Sequence, residues 1–323
     1  MAQYTGIQGQ NILIVSSDPA NPTEGQIWYN STSNLLKGYA NIVTNAWASA
    51  SPTGSIYGYS ATAGTQTSGL VFGNYSGGGI FDGTTLKYDG SAWTSTGSLN
   101  TARWALGGCG TQTAALAFGG TPPTTGATEE FNGSTWANNP TGLNTARNSL
   151  AGAGTQTAGL AFGGDVPSIT TATESYNGST WTSNPTGLNT ARSGLEGFGT
   201  QTAALTMGGL TPTSTAATES WNGTSWTTVN SMNTARFDSG AAGTQTAGLV
   251  FGGAPSVKSA TELWNGTNWT SNPTGLNTAR AYLSGLGTQT AALAVGGYNG
   301  AAYVTTVESW TGSTLQTKTI TTS

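Results

Sequence analysis

The tetrapeptide Gly-Thr-Gln-Thr begins at Gly64, Gly110, Gly154, Gly199, Gly243 and Gly287, at intervals of 46, 44, 45, 44 and 44 residues. A period of this length, kept six times, means that one supersecondary unit is stacked repeatedly, and this constrains the fold more than any other feature. Thr-Ala-Arg precedes five of the six copies, giving Arg103, Arg147, Arg192, Arg236 and Arg280, each seven residues before its glycine. Double glycines follow at Gly119-Gly120, Gly163-Gly164, Gly208-Gly209, Gly252-Gly253 and Gly296-Gly297. A variable stretch then leads to an aromatic residue and, five residues on, a tryptophan: Tyr88/Trp93, Phe131/Trp136, Tyr176/Trp181, Trp221/Trp226 and Trp264/Trp269. In the last repeat Trp310 is followed by Leu315 instead.

Each repeat reads as four short strands, a to d. Strand a follows the arginine (Ser193 to Phe198), b follows the Gly-Thr-Gln-Thr turn (Thr111 to Phe118), c is Thr173 to Tyr176 and d is Thr180 to Ser183. Asn-Gly joins c to d at Asn132, Asn177, Asn222 and Asn265, which predicts type I′ hairpin turns. The Asn-Gly-Ser/Thr triplets there match glycosylation sequons but are read as turns. Evenly spaced short strands, four to a unit, predict an all-β chain folded as a β-propeller of four-stranded antiparallel blades, with six clear repeats and six or seven blades. The order double glycine, Glu-x-aromatic, tryptophan, Thr-Ala-Arg resembles kelch repeats over about residues 51–320. The hairpin between aromatic and tryptophan is shorter than in most kelch repeats.

Residues 51–323 are assigned to the propeller and 1–50 to an N-terminal β segment. Leu36-Lys37-Gly38-Tyr39 with Ala46-Trp47 echoes Leu86-Lys87-Tyr88 with Ala92-Trp93, and Ser51-Pro52-Thr53-Gly54 echoes Asn184-Pro185-Thr186-Gly187. The segment is therefore either a divergent seventh blade or a separate β module that anchors the propeller. Pro22 to Asn34 (PTEGQIWYNSTSN) also resembles a short motif of bacteriophage tail-fibre and other virion proteins. The Thr/Ser/Asn/Gly-rich, charge-poor composition is similar to theirs. The resemblance implies a virion location, and such fibre proteins are often trimeric, so a homo-oligomer is expected with it.

Only 7% of residues are charged, yet aromatic residues recur at fixed positions, which excludes a disordered chain. The net charge of −4 offers no basic patch, so nucleic acid is not an expected partner. Cys109 has no partner cysteine for a disulfide, the N-terminus lacks a basic signal region, and the apolar run Ile12 to Val15 is too short to span a bilayer. Synthesis in a host cytoplasm without membrane insertion is the expectation.

The chain has no histidine, which removes Ser-His-Asp, Cys-His and His-ligated metal chemistry, including the copper site of galactose oxidase, another kelch propeller. No Gly-rich run ends in Lys-Ser or Lys-Thr, so no phosphate-binding loop is expected. No catalytic residue, cofactor or metal is expected. The five arginines could form a cationic ring around the axis, but Glu129, Glu174, Glu219, Glu262 and Glu308 each lie 26 to 28 residues after their arginine. The first repeat has Tyr57 and Leu86 at the two positions. Joint loss is what buried ion-pair partners require. A carboxylate-based glycosidase survives as a lesser reading, with Glu196 and Asp238 on inner strands of successive blades.

Binding is the stronger expectation. The b–c loops share a face with the d–a crossovers and differ in every repeat: Asn74–Thr85, Thr121–Thr128, Asp165–Thr173, Leu210–Thr218, Ala254–Thr261 and Tyr298–Val307. Variable loops on an invariant scaffold are where recognition is placed. Tyr75, Phe81, Asp82, Asp165, Lys258, Tyr298, Asn299 and Tyr303 are the candidate ligand-binding residues. Trp104, Asn148, Ser193, Phe237 and Ala281, which follow the arginine position, are expected to plug the axial channel. The function expected is a non-enzymatic phage tail-fibre, receptor-binding or decoration protein that takes bacterial surface glycan or another virion protein. The alternative is a kelch module that binds a host protein.

Overall fold

The computed structural model describes residues 12–42, 45–55 and 57–320. It has two compact units: Ala46–Thr311, and the residues up to Asn45 together with those from Gly312 onward. All regular elements among the described residues are strands.

In the larger unit the strands form six four-stranded antiparallel sheets. The first runs Ala61–Thr65, Ser68–Gly77, Ile80–Tyr88 and Trp93–Thr96, and the next four repeat this order from Gly107, Ala151, Glu196 and Gly240. The sixth takes Ser284–Thr288, Ala291–Val295 and Val307–Thr311, and is completed by Ala46–Ala50 from the other end of the chain. The innermost strands pack in succession, and that of the sixth sheet packs against that of the first. The chain is a β-propeller of six blades. Trp47 pairs with Trp310, standing where the last repeat lacks its own tryptophan. The stretch 46–50 is thus strand d of the sixth blade.

The smaller unit is a sheet in the order Leu13–Val15, Ile27–Asn30, Leu35–Ile42, Thr314–Thr319, with the first pair parallel. Trp28 is fully buried and donates to Asp18 Oδ1 at 3.0 Å. Lys37, Asn30 and Trp28 together hold the Asp18 carboxyl down at about 2.

Conserved side chains of the repeat join the blades to one another. Each Gln of Gly-Thr-Gln-Thr reaches back to strands b and c of the preceding blade: Gln156 Nε2 donates to Ala115 O at 3.0 Å and Phe131 O at 2.7 Å, and Gln66 closes the ring on Ala292 O and Trp310 O. Each strand-d tryptophan of blades two to six donates to a threonine of the preceding blade, as Trp181 does to Thr128 Oγ1 and Trp47 to Thr261 Oγ1, both at 2.9 Å. Backbones of adjacent inner strands approach so closely that side chains are excluded: a Cβ on Gly285 would lie 2.5 Å from Ala241 N.

The repeated Arg and Glu pair inside blades two to six, buried to within 2% of full occlusion. Arg192 Nη2 lies 2.8 Å from Glu219 Oε1, and its Nη1 donates to Ala217 O at 2.9 Å. Glu219 Oε2 also accepts from Asn189 N at 2.7 Å, which fixes the crossover entering the blade. In the first blade Tyr57 and Leu86 occupy these positions as buried residues.

Three local expectations change. The Asn-Gly loops are not type I′. Phe131 pairs with Trp136, which leaves four loop residues, and only Gly133 has positive φ. Asn132 Oδ1 instead accepts from Ser134 N and Thr135 N, so its side chain holds the turn. Strand a of the fourth blade starts at Glu196 rather than Ser193, because Gly194 is left-handed. The first b–c loop is mostly a long hairpin, since Ser68–Gly77 and Ile80–Tyr88 stay paired past Asn74 with two register shifts.

The ion pairs predict a specific asymmetry. Arg192→Leu alone leaves Glu219 buried without its cation and is expected to lower stability by about 3–5 kcal/mol. The double change Arg192→Tyr with Glu219→Leu, which copies the first blade, should recover part of that loss. Urea unfolding of the three proteins measures it, and a double variant less stable than the single one would contradict the pairing argument.

Candidate functional site

Two positions beyond each arginine, or beyond Tyr57 in the first blade, lies a residue with left-handed backbone: Tyr59, Ala105, Ser149, Gly194, Asp238 and Tyr282, with φ between 46° and 59°. Their main chains form a closed ring. Ala105 N donates to Tyr59 O (2.9 Å), Ser149 N to Ala105 O (2.8 Å), Gly194 N to Ser149 O (2.9 Å), Asp238 N to Gly194 O (2.9 Å), Tyr282 N to Asp238 O (2.7 Å) and Tyr59 N to Tyr282 O (3.1 Å). A left-handed residue other than glycine costs roughly 1–2 kcal/mol. Five recur here because the ring of bonds demands that backbone shape.

A cavity of about 150 Å³ lies at this ring, with Tyr59, Ser149, Glu196, Asp238, Tyr282 and Ser284 on its wall. A second cavity of about 130 Å³ lies between the a–b turns, and no carboxylate or tyrosine is on its wall. Cys109, which is on that wall, is buried, and burial pushes its thiol up to about 12.

The first cavity has two unlike sides. On blades six, one and two, Tyr59 and Tyr282 stand on its wall, and four further rings that do not line it continue from them in an arc of six half-buried aromatics. Tyr59 stacks on Tyr282 with centroids 4.5 Å apart, and Trp104 lies 5.0 Å from both Tyr59 and Tyr75. Tyr303 lies 5.5 Å from Tyr75 and 5.3 Å from Tyr298. The other side, on blades four and five, carries Glu196 and Asp238. Neither carboxylate has a hydrogen-bond or ion-pair partner among the described residues. Asp238 leans over the fourth blade: a Cβ on Gly194 would lie 2.8 Å from its Oδ1, so glycine makes the room. Burial raises the Asp238 carboxyl to about 7. Burial, and then the charge of Asp238, raises Glu196 well above the carboxylate range. Burial also raises the Tyr59 and Tyr303 hydroxyls, Tyr303 to about 12. Among the described residues no three His, Cys, Asp or Glu side chains gather as a metal site would need.

Of the eight residues read from the sequence, the structure brings Tyr75, Tyr298 and Tyr303 into the arc. Phe81 pairs with Tyr75 across the first b–c hairpin, and Asp82 pairs with Asn74 and accepts from Thr84 N at 2.8 Å. Asp165 bridges to Asn148, with its Oδ1 buried and unpaired. Lys258 bridges to Arg280, and burial, then the nearby Arg236, lowers its ammonium. Asn299 holds a turn, its Oδ1 accepting from Ala301 N and Ala302 N. These five do not converge on the cavity. The residues expected to plug the channel do not line it either. Trp104, Asn148, Ser193, Phe237 and Ala281 bridge to b–c loops, and the next residue in each repeat faces the axis. Tyr59 and Tyr282 are site residues that the sequence reading missed. The signal was an aromatic two positions after the arginine position in only the first and last repeats, which ring closure makes neighbours.

A scan against protein-family models found no match, and a search of curated proteins found none. Among solved structures, that of YjhT is similar to this chain with a TM-score of 0.64 and 13% sequence identity, over 82% of this chain and 96% of that one. At that identity the likeness carries the fold alone.

Asp238 yields a prediction with a definite sign. Its carboxyl moves from 3.8 to about 7 on folding, so the folded state holds a proton that the unfolded state gives up, and stability falls as pH rises through that window. Asp238→Asn should therefore raise the thermal midpoint above that of the parent near pH 8 and leave it nearly unchanged near pH 4. A gain of equal size at both pH values would mean that the carboxyl does not titrate as described.

Proposed function

We propose that the chain is a non-enzymatic phage virion propeller that binds bacterial surface glycan at the aromatic mouth of its axial cavity. The observation that carries the reading is the arc of six half-buried rings, of which Tyr59 and Tyr282 line that cavity and the other four continue outward from them. Pyranose rings present C–H faces that pack on aromatic rings, and tyrosine and tryptophan supply large, rigid contact area with a polar edge. Concave, aromatic-lined sites with a few polar groups are the usual form of small-ligand pockets. The repeat order supports a kelch type of blade. The motif at Pro22 to Asn34, part of it in the small sheet, supports a virion location, with that sheet as the attachment module and a trimer as its assembly.

Calorimetric titration with oligosaccharides released from the surface polysaccharide of candidate hosts tests the binding. Micromolar affinity is expected for one of them. Trp104→Ala and Tyr282→Ala should each weaken it by about tenfold, a loss within the 1–3 kcal/mol of an aromatic stacking contact. Full affinity in both variants would place the ligand elsewhere. Mass spectrometry of purified particles tests the location, and absence of this chain from them would remove the virion role.

A further inference from the structure

We propose that the saccharide bound at this mouth carries a primary ammonium group, seated between Glu196 and Asp238 and facing the aromatic arc. The inference rests on the glycan reading above and names the ligand's class within it.

Glu196 and Asp238 share one wall of the cavity, and neither carboxyl has a hydrogen-bond or ion-pair partner among the described residues. Both are half-buried, and carboxylates partly withdrawn from water are stabilised by a countercharge. Among the described residues the wall offers hydroxyls but no cation. All five arginines are committed to buried glutamates within their blades. Lys87 donates to Gly133 O, and Lys258 lies in the fifth b–c loop. No lysine or arginine is on the cavity wall. A primary ammonium brings three N–H donors and one positive charge, which suits two carboxylates with open lone pairs. The opposite wall attracts the same charge, because the rings of Tyr59 and Tyr282 there carry negative quadrupoles on their faces. An acidic sugar brings no cation and is repelled by whichever of the two carboxyls is ionised.

Gly194 connects the site to the fold. It is the one glycine among the six residues of the left-handed ring, and its missing side chain is what admits the Asp238 carboxylate. Ala105 holds the same backbone conformation at φ 52°, so alanine is compatible with the ring at this position.

The test compares glucosamine oligomers with their N-acetylated counterparts and with oligogalacturonate by calorimetry near neutral pH. The amine oligomer should bind at least about tenfold tighter than the N-acetylated one, a modest sum of ion pairing and cation–π attraction, and the galacturonate weakest. In the double variant Glu196→Gln with Asp238→Asn, the ratio of amine to N-acetyl affinity should fall close to unity. Gly194→Ala keeps both carboxyls and displaces Asp238, so it should also lower the ratio. A single cooperative unfolding transition certifies that each variant is folded. Equal binding of amine and N-acetyl oligomers by the parent overturns the ammonium inference and leaves the glycan reading in place. A ratio unchanged in the double variant overturns it too. Failure of every oligosaccharide to bind the parent counts against the glycan reading itself, and the inference falls with it.

Discussion

Six peptide groups, one from each blade, hydrogen-bond in a closed circle around the axis. Each donates to the blade before it and accepts from the blade after it. Bonds within the blades do not depend on blade number, but this circle does. It requires left-handed backbone at one position per repeat, and it draws the inner strands so close that glycine and alanine dominate them. Those demands create the site. A left-handed residue turns its side chain toward the axis, so whatever stands at that position becomes the lining of the mouth. Tyrosines stand there in two blades, aspartate in a third and glycine in a fourth.

The rest of the molecule distributes the work of closure over many small contacts. Each net hydrogen bond contributes about 1 kcal/mol, and the Gln and Trp contacts repeat at every junction or nearly so. Open repeat arrays need polar capping units at their ends. Here the sixth blade meets the first, and Ala46–Ala50 gives the sixth blade its fourth strand from the other end of the chain. In blades two to six Arg and Glu staple the entering crossover from inside, where burial makes losing one partner costlier than losing both.

Much of this was legible in the residues. The period and the Asn-Gly loops announced four strands per unit, and the joint absence of Arg and Glu from the first repeat announced their pairing. Trp47 was visible too, as an echo of strand d, but its pairing with Trp310 spans 263 positions and follows only from ring closure. The Asn-Gly dipeptide misled about the turn because loop length, set by the Phe131–Trp136 pair, decides its type. The site was half legible. Loop variability pointed to Tyr75, Tyr298 and Tyr303, whereas Tyr59 and Tyr282 depend on a backbone conformation that only glycine would have advertised. Asp165, Lys258 and Asn299 were chemically distinctive, yet their loops use them for local pairing.

The strand that completes the sixth blade also determines how load passes along the chain. Ala46 and Thr311 are directly opposite each other across one pair of strands, and the polypeptide leaves the propeller at both places. Both covalent links between the two units therefore enter one pair of neighbouring strands instead of two different blades. Cutting the chain at either link would leave the other still attached to the same pair, so the sixth blade alone carries the connection between the propeller and the small sheet.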